Sequence, residues 1–258
     1  MPRKYGIERY VHRYGDDPSQ LGELFLPDGG APFSVVVVVH GGYWKAAYDR
    51  SLMDALCEDL ARQGLAAWNL EYRRLGEGGG WPHTFEDVAA GVDALVDLDP
   101  RLNLTRVGAV GHSAGGQLAV WACARGGLPA GAPGAAPRLV PHAVVSQAGV
   151  LDLRLGAVTP PSDEPTRALL GGSPAEHPER YALASPRDRL PLGIDQLLLH
   201  GDRDETVSIK LAESYAAAAD QAGDDSELRV LRGVGHMEHI DPSTTAWAAA
   251  RDWLAERL

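Results

Sequence analysis

The sequence predicts an α/β fold: a mostly parallel, doubly wound sheet with helices on both faces and a small lid insertion. Three observations carry this. Strand-like and helix-like runs alternate along the 258 residues, as expected for parallel strands joined by helical crossovers. Val35–Val39 is an unbroken β-branched run ending at His40, which suits a central strand covered on both faces. Gly111-His112-Ser113-Ala114-Gly115 lies between a strand-like run, Arg106–Val110, and a helix-like run, Ala114–Arg125. A serine on so sharp a strand-to-helix turn has its hydroxyl thrust out of the sheet.

The elements follow in chain order. Ile7–Tyr14 and Gln20–Leu26 read as short strands broken by the turn signal Gly15-Asp16-Asp17-Pro18. After Val35–His40, Leu52, Leu56 and Leu60 recur every four residues and mark a helix. Leu65–Glu71 is the next strand. Thr84–Leu98 is a helix with Val88, Val92 and Leu95 on one face, ended by Asp99-Pro100. The serine turn follows. Gly126–Pro141 is a Gly-, Pro- and Ala-rich loop, and Ala143–Ala148 resumes the sheet. Residues 152–193 lack strand periodicity, and their length predicts a lid with short helices near Thr166–Leu170 and Pro178–Ala184. Gln196–His200 is a strand, Ser208–Ala222 a helix, and Leu228–Leu231 a strand. Ser243–Leu258 closes the chain as a helix with Trp247, Ala250 and Leu254 inward. Residues 1–258 thus read as one domain.

Composition narrows the partners. At 45% hydrophobic and 23% charged, the chain has a globular profile. Its net charge of -11 repels phosphates and anionic lipid surfaces, which argues against nucleic acid and membrane partners. The longest apolar run, Val35–Val39, is too short to span a bilayer. Met1–Tyr5 leads into polar sequence without a secretory apolar stretch. A cytoplasmic location is expected. Cys57 and Cys123 each fall in a helix among apolar residues and are expected as buried free thiols.

A serine hydroxyl is a poor nucleophile until a base takes its proton and a carboxylate orients that base. Downstream of Ser113, Gln196–His200 runs into Gly201-Asp202-Arg203-Asp204, and Leu228–Leu231 runs into Gly233-Val234-Gly235-His236. Both loops fall at the carboxyl ends of strands, where such sheets carry their sites. The expected triad is Ser113 with His236 as base and Asp204 as acid. Asp202, which is suited to shaping the turn, and Asp152 are the alternative acids. His239 is an alternative base one turn further on, and His112 is expected to face away. His236 and His239 have no third ligand at metal-binding spacing, so no metal and no cofactor are expected. His40-Gly41-Gly42-Tyr43-Trp44 follows the central strand, and its glycines let backbone N–H groups approach an oxyanion. Gly42, Tyr43 and Ala114 are the expected donors, with Gly41 as the alternative in register.

These motifs, from Val35 to the C-terminal helix, resemble the α/β-hydrolase family. His40-Gly41-Gly42-Tyr43-Trp44 with Gly111-His112-Ser113-Ala114-Gly115 is similar to the branch holding kynurenine formamidase and related small carboxylesterases. HGGG-type lipases have a third glycine where this chain has Tyr43. Formamidases of this branch often have Phe after the histidine, where this chain has Met237. The resemblance implies hydrolysis of a small-molecule ester or aryl formamide by Ser113, Asp204 and His236. Trp44, Tyr48 and Trp81, with Tyr43, fall in loops near the expected rim and are candidate substrate contacts. Gly78-Gly79-Gly80-Trp81-Pro82 is a candidate flexible edge of the entrance. A short lid predicts short acyl groups. The competing reading is a general short-chain carboxylesterase without formamidase activity, followed by a peptidase or a binding protein on a hydrolase fold. Retention of all three triad residues argues against the binding protein.

Overall fold

The computed structural model describes residues 6–30 and 32–258. Met1–Tyr5, the segment read for a leader, and Ala31 lie outside it. Eight strands form one sheet in the order β1-β2-β4-β3-β5-β6-β7-β8. The first two, β1 (Ile7–Arg13) and β2 (Leu21–Pro27), pair antiparallel, and β2 is also antiparallel to β4 (Ala66–Leu70). From β4 through β3 (Phe33–Val39), β5 (Leu102–His112), β6 (Ala143–Gln147), β7 (Asp195–Gly201) and β8 (Ser226–Leu231), every pair is parallel.

The valine run is why β3 lies mid-sheet. Val35, Val37 and Val39 pack into one core and Val36 and Val38 into the other, and all five are fully buried. Polar positions on either face would have broken one of those layers. The first core holds α2 (His83–Asp93), α3 (Ala114–Cys123) and α7 (Lys210–Ala222) against the sheet. The second holds α1 (Asp54–Arg62) and α8 (Thr245–Ala255), with Trp247, Ala250 and Leu254 fully buried. Cys57 belongs to the second core and Cys123 to the first, so the sheet separates two buried free thiols.

Several expected boundaries shift for identifiable reasons. The leucine helix is divided: Arg50–Met53 is a 3₁₀ turn capped by Asp49, and α1 begins at Asp54. Helix α2 ends at Asp93 and continues as a 3₁₀ turn over Ala94–Asp97. The fifth strand begins at Leu102 rather than Arg106, because Thr105 and Arg106 keep strand geometry while exposed. Between β6 and β7 lie three helices: α4 (Leu153–Gly156), α5 (Asp163–Leu170) and α6 (Pro178–Ala184). The four-residue α4 has too little periodicity to be legible, and Asp152 caps it by accepting from Leu155 N–H at 3.0 Å.

This inserted segment is bonded to the serine helix. Gln117 Nε2 donates to the Ala184 carbonyl at 3.0 Å, and Trp121 Nε1 to the Leu183 carbonyl at 2.9 Å. Among the described residues no helix is long and apolar enough to cross a membrane.

Candidate active site

Ser113 is the single residue between the end of β5 and the start of α3, with φ +56° and ψ −121°. A side chain in this left-handed region costs about 1–3 kcal/mol and persists only where the surroundings enforce it. Here Ser113 N–H donates to the Gln147 carbonyl on β6 at 2.8 Å, while the Ser113 carbonyl accepts from Gly116 N–H at 3.0 Å. The turn also needs Gly115, because a Cβ there would run into the Val39 and His40 carbonyls.

The loops after β7 and β8 bring an acid and a base together. His236 Nδ1 lies 2.7 Å from Asp204 Oδ2. The other Asp204 oxygen accepts the N–H groups of Thr206 at 2.8 Å and Val207 at 2.9 Å. Burial pushes the Asp204 carboxyl up, but the His236 bond and these two N–H groups outweigh it and hold the carboxyl below its ordinary range. Since Asp204 accepts at Nδ1, the ring carries its proton there and leaves Nε2 as the basic nitrogen. His236 and Ser113 wall the same cavity. Of the alternative acids, Asp202 accepts from Gly233 N–H at 2.6 Å and ties the two loops. Asp152 accepts from Ser214 Oγ at 2.6 Å and caps α4.

His112 does not face away from the base. Its ring centroid is 4.5 Å from that of His236, and Nε2 donates to the His236 carbonyl at 2.9 Å. His112 is the last residue of β5, and side-chain alternation along the strand, with Ala109 in the first core and Val110 in the second, turns it to the α8 face, under the histidine loop. Burial, then repulsion from His236 and His239, holds His112 well below the usual imidazole range, so it is neutral. His239 is fully buried, and among the described residues neither of its ring nitrogens has a hydrogen-bond partner. Burial first, then His200 and His236, lower it to about 4.

The loop after β3 runs through three left-handed residues: Gly42 at φ +104°, Tyr43 at +53° and Trp44 at +56°. The Gly42 carbonyl accepts from Lys45 N–H at 3.0 Å, closing the turn. Glycine is required at 42, because a Cβ would collide with the Tyr48 side chain. Tyr43 Oη donates to the Thr206 carbonyl at 2.6 Å, joining this loop to the one that carries Asp204. Among the described residues, the N–H groups of Gly42, Tyr43 and Ala114 donate to no protein acceptor. Gly42 and Tyr43 line the cavity, whereas Gly41 packs against the Ser113 turn.

The cavity holds about 190 Å³ and is walled by Gly42, Tyr43, Tyr48, Leu52, His112, Ser113, Thr206, His236 and Met237. Tyr48 is therefore on the cavity wall. Trp44 and Trp81 are not. Trp44 is fully buried and donates from Nε1 to Gln117 Oε1 at 3.2 Å. Its left-handed backbone turns it inward, and burying the large indole favours that position. Trp81 packs on Phe85, with ring centroids 5.2 Å apart. The glycine run before it is not a loose rim, because Gly80 N–H bonds Thr84 Oγ1 at 2.9 Å and Trp81 N–H bonds the Leu169 carbonyl at 2.8 Å. Leu52 and Met237 also line the cavity. Leu52 belongs to the 3₁₀ turn ahead of α1, and adjacency to His236 places Met237. A larger hollow of about 570 Å³, lined by Asp17, Asp49, Arg50, Glu71, Arg74 and Glu77 among others, carries the Ser19 and Ser51 hydroxyls but no histidine on its walls.

This sheet, with its sharp serine turn, is the α/β-hydrolase fold. It superposes on a truncated carbohydrate esterase from gut microbiota with a TM-score of 0.81, at 22% identity over 100% of this chain and 98% of that one. Esterase B from Lactobacillus rhamnosis gives 0.81 at 20% identity, over 99% and 88% of the two chains. A thermophilic esterase of the planctomycete Thermogutta terrifontis, solved with propionate, gives 0.75 at 21% identity over 96% and 92%. The BD-FAE family model matches residues 23–218, and the chain belongs to that family. No curated protein matches it.

Proposed function

We propose that this protein is a serine esterase that cleaves small, neutral carboxylic esters through an acyl-enzyme on Ser113. The observation carrying this is the 2.7 Å bond from Asp204 to His236 beside Ser113, on the wall of one small cavity. His236 Nε2 takes the Ser113 proton as Oγ attacks the ester carbonyl. Asp204 holds the ring and stabilises the imidazolium. The oxyanion accepts the N–H groups of Ala114 and the Gly42–Tyr43 segment. His236 then protonates the leaving alcohol, and water, deprotonated by the same nitrogen, releases the acid.

The similarity to kynurenine formamidase supplies a second reading, hydrolysis of an aryl formamide by the same triad. The half-exposed Tyr48 ring at the mouth suits an aryl group. The walls favour a neutral ester, because apart from the histidines they offer no charged side chain to pair with an amino-acid head group. We read residues 152–193 as a fixed cap of the single domain, since they bond to α3 and do not line the cavity.

Turnover of p-nitrophenyl acetate through octanoate and of N-formylkynurenine, by wild type and Ser113→Ala, tests both readings. The ester reading expects higher kcat/KM on acetate or butyrate and loss of several orders of magnitude in the variant. Preference for the formamide transfers the assignment to formamidase. Undiminished turnover by Ser113→Ala removes both.

A further inference from the structure

The first residue of the oxyanion loop has a role that the triad does not use. His40 is fully buried at the end of β3. Its Nε2 lies 2.9 Å from Glu71 Oε1, and its Nδ1 lies 2.8 Å from the Gly41 carbonyl oxygen. Both partners only accept, so each ring nitrogen carries a proton. Tyr72 stacks on the ring at 4.4 Å and 8° between planes, and its hydroxyl donates to the His40 carbonyl at 2.9 Å. A face-on aromatic is the arrangement that favours a cation.

Glu71 is equipped to stay ionised beside it. Oε1 also accepts from Tyr72 N–H at 2.9 Å, and Oε2 from Arg50 N–H at 3.0 Å. Arg74 Nε lies 3.5 Å from Oε1. Burial raises the carboxyl, but the His40 bond and charge and these N–H groups together hold it below its usual range. The charged groups facing His40 are therefore Glu71, with Arg74 and Asp49 behind it.

The Gly41 carbonyl belongs to the same peptide as the Gly42 N–H. In a trans peptide the two point in opposite directions. Gripping the carbonyl at His40 aims the Gly42 N–H away from the ring, and Gly42 is the member of that peptide on the cavity wall. We propose that His40 is a positioning residue: a doubly protonated imidazole, locked by Glu71, that sets the direction of the Gly42 N–H for the oxyanion. The Glu71–His40 pair also fixes a cation behind that peptide, where it opposes no charge developing in the transition state. The proposal rests on the oxyanion role given to Gly42 above.

The test is ¹⁵N–¹H spectroscopy of histidine-labelled full-length protein at pH 7.5, with kinetics of Glu71→Gln. The His40 signals are those lost in His40→Gln. If that variant does not fold, they are those showing cross-relaxation with the Tyr72 ring. Two ring N–H signals at His40 are expected. Glu71→Gln is expected to lower kcat about tenfold or more while KM stays within about twofold, since the interaction is made in the transition state. A single ring N–H at His40 overturns the proposal, and so does wild-type kcat in a folded Glu71→Gln. If Glu71→Gln does not fold, the His40 signals of the wild type decide. The spectrum needs no turnover, so its outcome is independent of the Ser113→Ala test.

Discussion

The Tyr43 hydroxyl donates to the Thr206 carbonyl at 2.6 Å, and Thr206 N–H in turn donates to Asp204 at 2.8 Å. One phenol thus joins the loop that offers N–H groups to the cavity and the loop that holds the acid. Tyr43→Phe keeps the ring and removes the bond. A buried hydrogen bond contributes about 1 kcal/mol. We expect kcat on p-nitrophenyl acetate to fall about three- to tenfold, with Tm lowered by a few degrees.

The two aspartates of the β7 loop separate cleanly. Asp204→Asn retains an oxygen for the Thr206 and Val207 N–H groups but places an amide against His236 Nδ1. That fixes the wrong tautomer, and kcat should drop by about four orders of magnitude. Asp202→Asn should leave kcat within about threefold, because its carboxylate bonds Gly233 and no group on the cavity wall. Equal losses in both variants would reject the assignment of roles.

Acid should destabilise the fold before it reaches the carboxylates. His239 sits at about 4 in the folded protein, against about 6.5 in an unfolded chain. Between those values the unfolded chain binds the proton and the folded one does not. Stability is therefore complete above about pH 7 and falls as pH drops toward 4, by up to about 3 kcal/mol from this residue. His112, also lowered, adds to the loss in the same direction. Asp204, lowered as a carboxyl, contributes stability that is present above about pH 4 and lost below it. Melting curves from pH 8 to 4.5 check this. His239→Leu should flatten the slope by about one proton, and an unchanged slope would count against it.

Acyl length should respond to Leu52 rather than to the tryptophans. Leu52→Ala enlarges the cavity wall by about three carbons. At about 0.8 kcal/mol per buried methylene, two extra carbons in the acyl chain should gain about tenfold in kcat/KM relative to acetate. Trp44→Phe loses the bond to Gln117 inside the core. It should lower Tm and leave the ester profile unchanged.

How far the sequence was legible follows from the range of the forces involved. The valine run, the serine turn and the loops ending at Asp204 and His236 are local patterns, and the sheet placed them where strand order predicts. The burial of Trp44 depends on two left-handed residues preceded by Gly42, a backbone choice that side-chain types do not announce. His112 lies on the α8 face by strand alternation, but only the loop after β8, far along the chain, brings His236 against it. Leu52 reads as a helical core position, but it lies in the 3₁₀ turn ahead of α1, where it both packs on the second core and lines the cavity. The Glu71–His40 pair joins residues 31 apart in sequence, each just past the end of its strand, so only the β3–β4 register brings them together.

The bonds from Gln117 and Trp121 to the carbonyls of Ala184 and Leu183 bear on how the protein could be redesigned. The helices between β6 and β7 are not an interchangeable module. Grafting a cap from a related fold would withdraw acceptors from two buried donors on the helix that begins beside Ser113. New substrate preferences are better sought by point changes at Tyr48, Leu52 and Met237, which stand on the cavity wall.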